Sequence, residues 1–463
     1  MVDVMFFSYR CSDAWWRYLA EQLDFTQSTC LVSDVRNVGD INIVDAFYTN
    51  MRNTNGVNIA IKELSHTVCD EIIQRCRVLR NLKKNKALSM IGAMFLTISD
   101  LVEKQKPRLV VCFVIDRYVL DVFDRVLKKH GIRFLSMTAS IVPDYVMFMD
   151  RGKLVPLRKP QPAEIKQTKS LLTSEKFIPT YVANKKFSSL RYWTTFGKFK
   201  LRGLAYQFIR YAKRDPLNLH YLDALNSLSH KPRFGDYVVM RAFDRDWEAK
   251  LQRVEREKRV FVGLQLLPEA SLDYWLDDLQ LLNNEESIYA ICKTLGEAGY
   301  TVFVKDHPLQ FGFRKRALIQ KLLTLPYVVM VPYEVTAGIL IRKCSVTVAF
   351  TGTIGFEAAL AGSCAVVSGA YYSDESHFVH FHNRNDIAAL PDKIATFKKK
   401  YAAGFSTEGV DGLVEKLLAA SAPGDLFGFS GFDKEQAESI NKTTSLIQSL
   451  NKYLPQFLTS SGE

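Results

Sequence analysis

Short apolar runs alternate along this chain with stretches of helical spacing. In the first third, residues 2–8, 29–33, 108–115 and 133–137 are rich in Val, Ile, Leu and Phe, and each reads as a buried strand. Between them, residues 13–23 carry Trp16, Leu19 and Leu23 at helical intervals, with Ser12 placed to cap. A long helical region is expected over 62–104, and a further helix over 118–129 ends at His130-Gly131. A second alternating series starts near Asp236. Strands are expected at 237–241, 259–264, 301–304, 327–331, 346–350 and 365–368, with helices at 287–298, 314–325, 337–342 and 356–361. From Asp386 the pattern is mainly helical, ending in 433–454. This βαβ rhythm predicts an α/β protein with two doubly wound parallel sheets. The expected division is 1–160, a connector over 161–235, 236–385, and a helical segment over 386–463.

Composition narrows the picture only where it is uneven. The chain has 463 residues, enough for two domains with full cores. Its formal charge of +12 implies an anionic partner such as nucleic acid, a lipid headgroup or a phosphorylated substrate, without choosing among them. Between Lys176 and Arg214 there is no Asp or Glu, and basic residues alternate with aromatics such as Tyr192, Trp193, Phe199, Phe208 and Tyr211. That mixture suits the inner face of a membrane or a lipid-linked acceptor, or a solvated helix whose aromatics join the core. No nucleic-acid fold signature accompanies it, so nucleic acid is not the expected partner. No basic leader opens the chain and no apolar run approaches the ~20 residues of a membrane span. The expected location is cytoplasmic, with peripheral attachment through 176–214. The eight cysteines form no C-x-x-C pair, and Cys69 and Cys76 lie seven apart with no His cluster nearby, so a protein without a structural metal is expected.

Chemistry concentrates where apolar runs break. Thr301-Val-Phe-Val-Lys-Asp-His-Pro308 ends a strand with Lys305 and His307, both able to donate to a phosphate. Val346-Thr-Val-Ala-Phe350 leads into Thr351-Gly-Thr-Ile-Gly355 and then a helix. Thr351, Gly352, Thr353 and Gly355 would cradle a phosphate with backbone N–H groups and the helix dipole. Glu357, in the first helical turn, would accept from ribose hydroxyls or complement the dipole. Ligands of open α/β sheets bind beyond such strand ends.

Gly263-Leu-Gln-Leu-Leu-Pro-Glu-Ala-Ser271, Val304-Lys-Asp-His-Pro308 and Thr351-Gly-Thr-Ile-Gly-Phe-Glu-Ala358 together resemble the capsule-polysaccharide biosynthesis family. That family includes transferases of 3-deoxy-manno-octulosonic acid (Kdo) with the GT-B fold, two Rossmann-type domains facing each other across a cleft. The resemblance covers roughly 236–385. It implies a metal-independent glycosyltransferase that needs no cofactor and takes a nucleotide-sugar donor. His307 and the 351–353 turn would hold the donor phosphate, and Gln265 and Glu269 would line the cleft. The Lys-x-His-Pro element is also similar to that of GT-B bacterial sialyltransferases, which implies a CMP-activated acidic sugar. Two features depart from the family. Gly362-Ser-Cys364 stands where Gly-Lys-Pro is common, and Thr138-Ala-Ser-Ile-Val-Pro143 lacks the usual Glu. The acidic catalytic group would then be Asp116, past the 108–115 strand, or less favourably Asp40 or Asp34. Each could instead cap a loop, and Asp116 could pair with Arg117. Two rival readings share the fold class: a UDP-sugar 2-epimerase, and a non-catalytic protein that binds glycan or lipid intermediates.

Overall fold

The computed structural model describes residues 1–463 except 10, 175–176, 178–187, 220, 223–232, 240–242, 402–406, 430 and 460–463. The chain forms two compact units. The first comprises Met1–Pro160, Gln207–Asn226 and Leu417–Glu463, and the second Gln161–Tyr206 and Ser227–Lys416. The expected contribution of 176–187 to the basic-aromatic stretch lies outside the described residues, apart from Phe177.

In the first unit the strands are β1 (Val4–Phe7), β2 (Thr29–Ser33), β3 (Ile41–Asn42), β4 (Leu109–Phe113), β5 (Arg133–Ala139), β6 (Tyr145–Asp150) and β7 (Lys153–Leu154). In the second they are β8 (Arg259–Gly263), β9 (Thr301–Lys305), β10 (Val328–Val331), β11 (Val346–Val348), β12 (Cys364–Val367) and β13 (Phe378–His380). A last strand, β14 (Ser421–Pro423), returns to the first sheet. The first sheet runs β14-β6-β5-β4-β1-β2-β3, and the second β10-β9-β8-β11-β12-β13. Every pairing in the second sheet is parallel. In the first, β1 to β5 are parallel, whereas β6 runs antiparallel to both β5 and β14. Both are α/β sheets of Rossmann type. Central strands such as Val4–Phe7 are apolar throughout because helices cover both faces.

Strand order reverses once within each parallel set. In the first unit the chain moves from β1 to β2 and β3, then returns to β4 on the other side of β1. In the second it moves from β8 to β9 and β10, then returns to β11 on the other side of β8. At a reversal the two connections leave in opposite directions and open a crevice at the carboxyl ends of the strands. The crevice of the first unit is therefore bordered by the segments after β1 and β4, and that of the second by those after β8 and β11.

Several expected elements differ. The single helix over 62–104 is three, Gly56–Leu64, His66–Arg75 and Lys84–Gln105. Ser65 breaks the first from the second at φ +71° and caps the second by accepting from the Val68 N–H. The strand expected at 237–241 begins as a helical turn, Asp236–Val239. A run of so few apolar residues does not separate helix from strand. Here Asp236 accepts from the Arg233 N–H and Tyr237 stacks on Tyr192, which hold the turn. Ser12 does not cap its helix; its hydroxyl bonds back to Tyr9. The closing helix, Ala437–Tyr453, packs Leu446 and Leu450 into the core of the first unit.

Helices Gly56–Leu64 and Lys84–Gln105 cross closely because both carry glycine at the contact. A Cβ on Gly92 would lie 1.9 Å from the Gly56 carbonyl oxygen. Backbone cannot yield as a flexible side chain can, so the Gly92→Ala protein should lose about 2–3 kcal/mol in chemical denaturation. Unchanged stability would contradict this packing.

Candidate functional site

In the second unit, the crevice between β8 and β11 holds a hydrogen-bonded cluster. Gln265, past the end of β8, is buried, and its Nε2, with two protons to give, lies within hydrogen-bond distance of Glu269 Oε2 at 2.9 Å, Ser271 Oγ at 2.9 Å and Thr351 Oγ1 at 2.6 Å. Its Oε1 accepts from the Thr351 N–H at 3.2 Å. One amide side chain thus joins the two segments that border the crevice. The Gln265 carbonyl accepts from Arg314 Nη2 at 2.6 Å. Arg314 in turn grips Asp306 Oδ1 through Nε and Nη2, at 3.1 and 2.6 Å. Asp306 also accepts from the His307 N–H at 2.7 Å and from the Tyr333 hydroxyl. A continuous polar chain therefore runs from His307 to Thr351 across the ends of β9, β8 and β11.

Each expected site residue of the second unit has a definite place along this chain or beside it. His307 Nδ1 accepts from the Leu309 N–H at 3.1 Å, which leaves the proton of the neutral ring on Nε2 as a donor. Lys305 is buried, and its amine donates to the Asp306 carbonyl at 3.1 Å. Burial pulls its pKa down to about 8, against the pull of Asp306 and Glu334. Gly352 is open: a Cβ there would meet only the Gln265 amide carbon, at 3.8 Å. Gly355 is closed: a Cβ would fall 2.4 Å from the Tyr372 hydroxyl. That hydroxyl donates to the Gly352 carbonyl at 2.6 Å, so Tyr372 sets the shape of the turn. The following helix is only Ile354–Leu360. Two turns sum to a weak dipole, so the turn's backbone groups matter more than the expected helix field.

Two carboxyls beside the turn are shifted upward. Burial raises Glu269, with the Gln265 and Ser271 hydrogen bonds offsetting part of it. Burial pushes Glu357 up to about 7, opposed by a long 3.4 Å bond from Thr353 Oγ1. Tyr371 is close enough that both carboxylates raise its own pKa further, after burial. The site is thus a weakly solvated crevice edge where Glu357 can hold a proton near neutrality and Glu269 gives up its proton less readily than a free carboxyl.

The first unit has its own cluster at the β1/β4 reversal. Asp116 receives Arg117 Nε at 2.9 Å and Nη2 at 3.2 Å, and the Tyr9 hydroxyl at 3.3 Å. Arg117 stacks over the Tyr9 ring at 4.3 Å and reaches Asp34 Oδ2 at 3.6 Å. Burial pushes Asp116 up, but the charge and hydrogen bonds of Arg117 outweigh it, and the carboxyl ends below its usual range. Asp34 goes the other way, raised by burial that Arg117 only partly offsets. Asp40 stands apart from both. It bonds Arg17 Nη1 at 2.6 Å and the Leu31 N–H at 2.9 Å, fixing the loop before β3.

Asp306, Arg314, Ser271, Tyr333 and Tyr372 went unmarked in the sequence reading. Asp306 and Ser271 carried a signal, since they sit inside the Lys-Asp-His-Pro element and the Gly263–Ser271 segment. The others reach the cluster through long-range packing that no local pattern encodes.

No protein-family model matches the chain, and no curated protein matches it in sequence. Among solved structures it is similar to two Kdo transferases of Thermosulfurimonas dismutans KpsC. The β-Kdo 2,7 transferase shares 12% identity over 72% of this chain and 84% of that one, with a TM-score of 0.33. The β-Kdo 2,4 transferase shares 11% over 76% and 88%, with a TM-score of 0.34. A UDP-GlcNAc 2-epimerase from Neisseria meningitidis, bound to UDP-GlcNAc, is 11% identical over 90% and 98%, with a TM-score of 0.27. At this level of likeness, any functional assignment must rest on the residues of the site.

Proposed function

We propose that the chain is a nucleotide-sugar-dependent glycosyltransferase of surface-polysaccharide assembly, with the donor nucleotide held at the β8/β11 crevice of the second unit. The observation that carries this reading is the buried chain from His307 through Asp306, Arg314 and Gln265 to Thr351. It preorganises three strand ends around an open glycine, which is what a bound phosphate requires. The three segments involved are those that resemble the capsule-polysaccharide family. The proposed donor is a CMP-activated acidic sugar such as Kdo, and the acceptor is glycan or lipid-linked.

Donor binding is tested by thermal shift with CMP, UDP, GDP and their sugars, because a ligand of the native state raises its apparent stability. One nucleotide should stabilise the protein, and His307→Ala should weaken that binding by about 1.5–3 kcal/mol with little loss in the ligand-free midpoint, where only the local bond to the Leu309 N–H goes. Equal nucleotide affinity in the variant removes His307 from the site. Conversion of UDP-GlcNAc without an acceptor would replace transfer by 2-epimerisation.

For the chemical step, Asp116 and Glu357 are suited to different work. Asp116 stays ionised and can stabilise an oxocarbenium-like transition state; Glu357 titrates near neutrality and can exchange a proton. Ionising Glu357 in the fold costs roughly 2–3 kcal/mol, allowing for its remaining exposure. Its folded pKa exceeds the unfolded one, so this stability is present below about pH 4.5 and is lost as pH rises through about 7. Glu357→Gln should therefore gain stability relative to the native chain from pH 5 to pH 8, and flatten any limb of the pH–rate profile near 7. Asp116→Asn should lower turnover about a hundredfold or more without moving that limb. A parallel pH dependence of stability in native and Glu357→Gln proteins would contradict the first assignment, and full activity of Asp116→Asn the second.

Helix Ser189–Ala212 supports a membrane-facing acceptor. It contains no acidic residue, and Leu201, Leu204, Phe208 and Tyr211, at intervals of three and four, are exposed on one face. Lys198, Lys200 and Arg202 are exposed beside it. No described helix is long and apolar enough to cross a membrane. Anionic vesicles should retain the protein at low salt and release it at high salt, and Leu204→Ser with Phe208→Ser should abolish retention. Equal partitioning to neutral and anionic vesicles, or none to either, would contradict this role.

A further inference from the structure

Cysteine spacing points away from a metal, but a different ligand set assembles at the edge of the second sheet. β13 ends at His380, and the chain continues Phe381-His382. Residues two apart in extended chain project to the same side. The two imidazoles accordingly stack, with centroids 5.2 Å apart and planes within 6°. Glu375 comes back toward them from the loop before β13. Its Oε2 lies 3.6 Å from His380 Nδ1, and its Oε1 lies 3.7 Å from His382 Nε2. All three ligand atoms fall within 4.8 Å of one another.

The His380 ring is only 6% exposed, yet its Nδ1 has no hydrogen-bond partner among the described residues. A buried ring nitrogen left without a partner is costly, and it points directly at the glutamate. The opposite nitrogen, Nε2, is 3.1 Å from Ser373 Oγ. A proton on Nε2, donated to that hydroxyl, leaves the Nδ1 lone pair facing Glu375. Metal-ligating histidines are oriented in this way, by a hydrogen bond from the nitrogen that does not bind the ion. Lys393 does not compete for the position, because its amine bonds the His380 carbonyl and Asp386.

We propose that His380 Nδ1, His382 Nε2 and a Glu375 oxygen bind one divalent cation of the zinc class, with water as the fourth ligand. In tetrahedral coordination, ligands about 2.0–2.1 Å from zinc lie roughly 3.3 Å from each other. Each ring nitrogen needs to close by only a few tenths of an ångström on the carboxylate oxygen it faces, and the three ligand atoms, within 4.8 Å of one another, draw together by about 1.5 Å at most as the exposed Glu375 turns. Two imidazoles and one carboxylate favour zinc, cobalt or nickel over magnesium or calcium. Glu375 is the mobile partner, at 83% exposure. Binding would fasten its loop, Ala370 to His377, to the end of β13. The same loop carries Tyr372, whose hydroxyl holds the Gly352 carbonyl, so the ion would brace the glycine turn from behind. The proposal does not depend on the glycosyltransferase reading.

The test uses the full chain stripped with a chelator and then titrated with Co²⁺, followed by visible absorption, and with Zn²⁺, followed by calorimetry. One equivalent of Co²⁺ should give the intense bands of a four-coordinate site, and Zn²⁺ should displace it. His382→Ala and Glu375→Gln change exposed residues and keep the fold. Each should weaken Zn²⁺ binding at least tenfold and cancel the rise in thermal midpoint that Zn²⁺ gives the native chain. Absence of the bands, or Zn²⁺ affinity in both variants equal to that of the native chain, overturns the proposal.

Discussion

The buried ion pair of Asp306 and Arg314 is the contact on which the second unit's crevice depends. Both side chains are almost wholly removed from solvent. Charges so placed lose several kcal/mol of hydration each, and only good geometry with every remaining hydrogen bond filled recovers it. The surroundings supply most of that. Asp306 takes two bonds from Arg314, one from the His307 backbone and one from Tyr333, and Arg314 gives a further bond to the Gln265 carbonyl. Removing one partner of such a pair costs about 3–5 kcal/mol, because the other charge is left stranded. The pair therefore does more than add stability. It fixes where the β9 segment sits relative to the β8 segment, and Gln265 passes that position on to Thr351.

The same topological device appears in the first unit with the opposite electrostatic setting. At the β1/β4 reversal a half-buried arginine lies between Asp116 and Asp34 and holds Asp116 ionised. At the β8/β11 reversal the arginine is committed to Asp306, so Glu269 and Glu357 face burial without a cation and rise. A carboxylate held charged stabilises positive charge nearby. A carboxyl near neutrality passes protons. The difference follows from which acid each arginine reaches.

Much of this architecture is legible in the chain. Val4–Phe7, Leu109–Phe113 and Val346–Val348 announce themselves because a parallel strand covered on both faces needs apolar residues throughout. The Lys-Asp-His-Pro and Thr-Gly-Thr-Ile-Gly segments stand out because polar and glycine residues interrupt such runs. Strand order is not legible, since it depends on long-range pairings such as Val4 with Leu109 and Val260 with Val346. With it goes the knowledge that Gln265 would meet Thr351. β14 is too short to signal itself and exists only through its partner β6. Gly352 and Gly355 look alike in sequence, yet one is open to a ligand and the other is filled by Tyr372. His380 and His382 are visible as His-x-His, but Glu375 joins them only once the loop folds back.

The central claim is that the β8/β11 crevice of the second unit holds a nucleotide phosphate, and amide hydrogen exchange with and without saturating nucleotide tests it most directly. Peptides covering Thr351–Gly355 and Lys305–Leu309 should gain protection in the presence of the nucleotide that stabilises the chain, while those covering Ile41–Asn53 stay unchanged. Protection confined to other segments, or exchange at Thr351–Gly355 unaltered by every nucleotide at saturating concentration, would contradict the account.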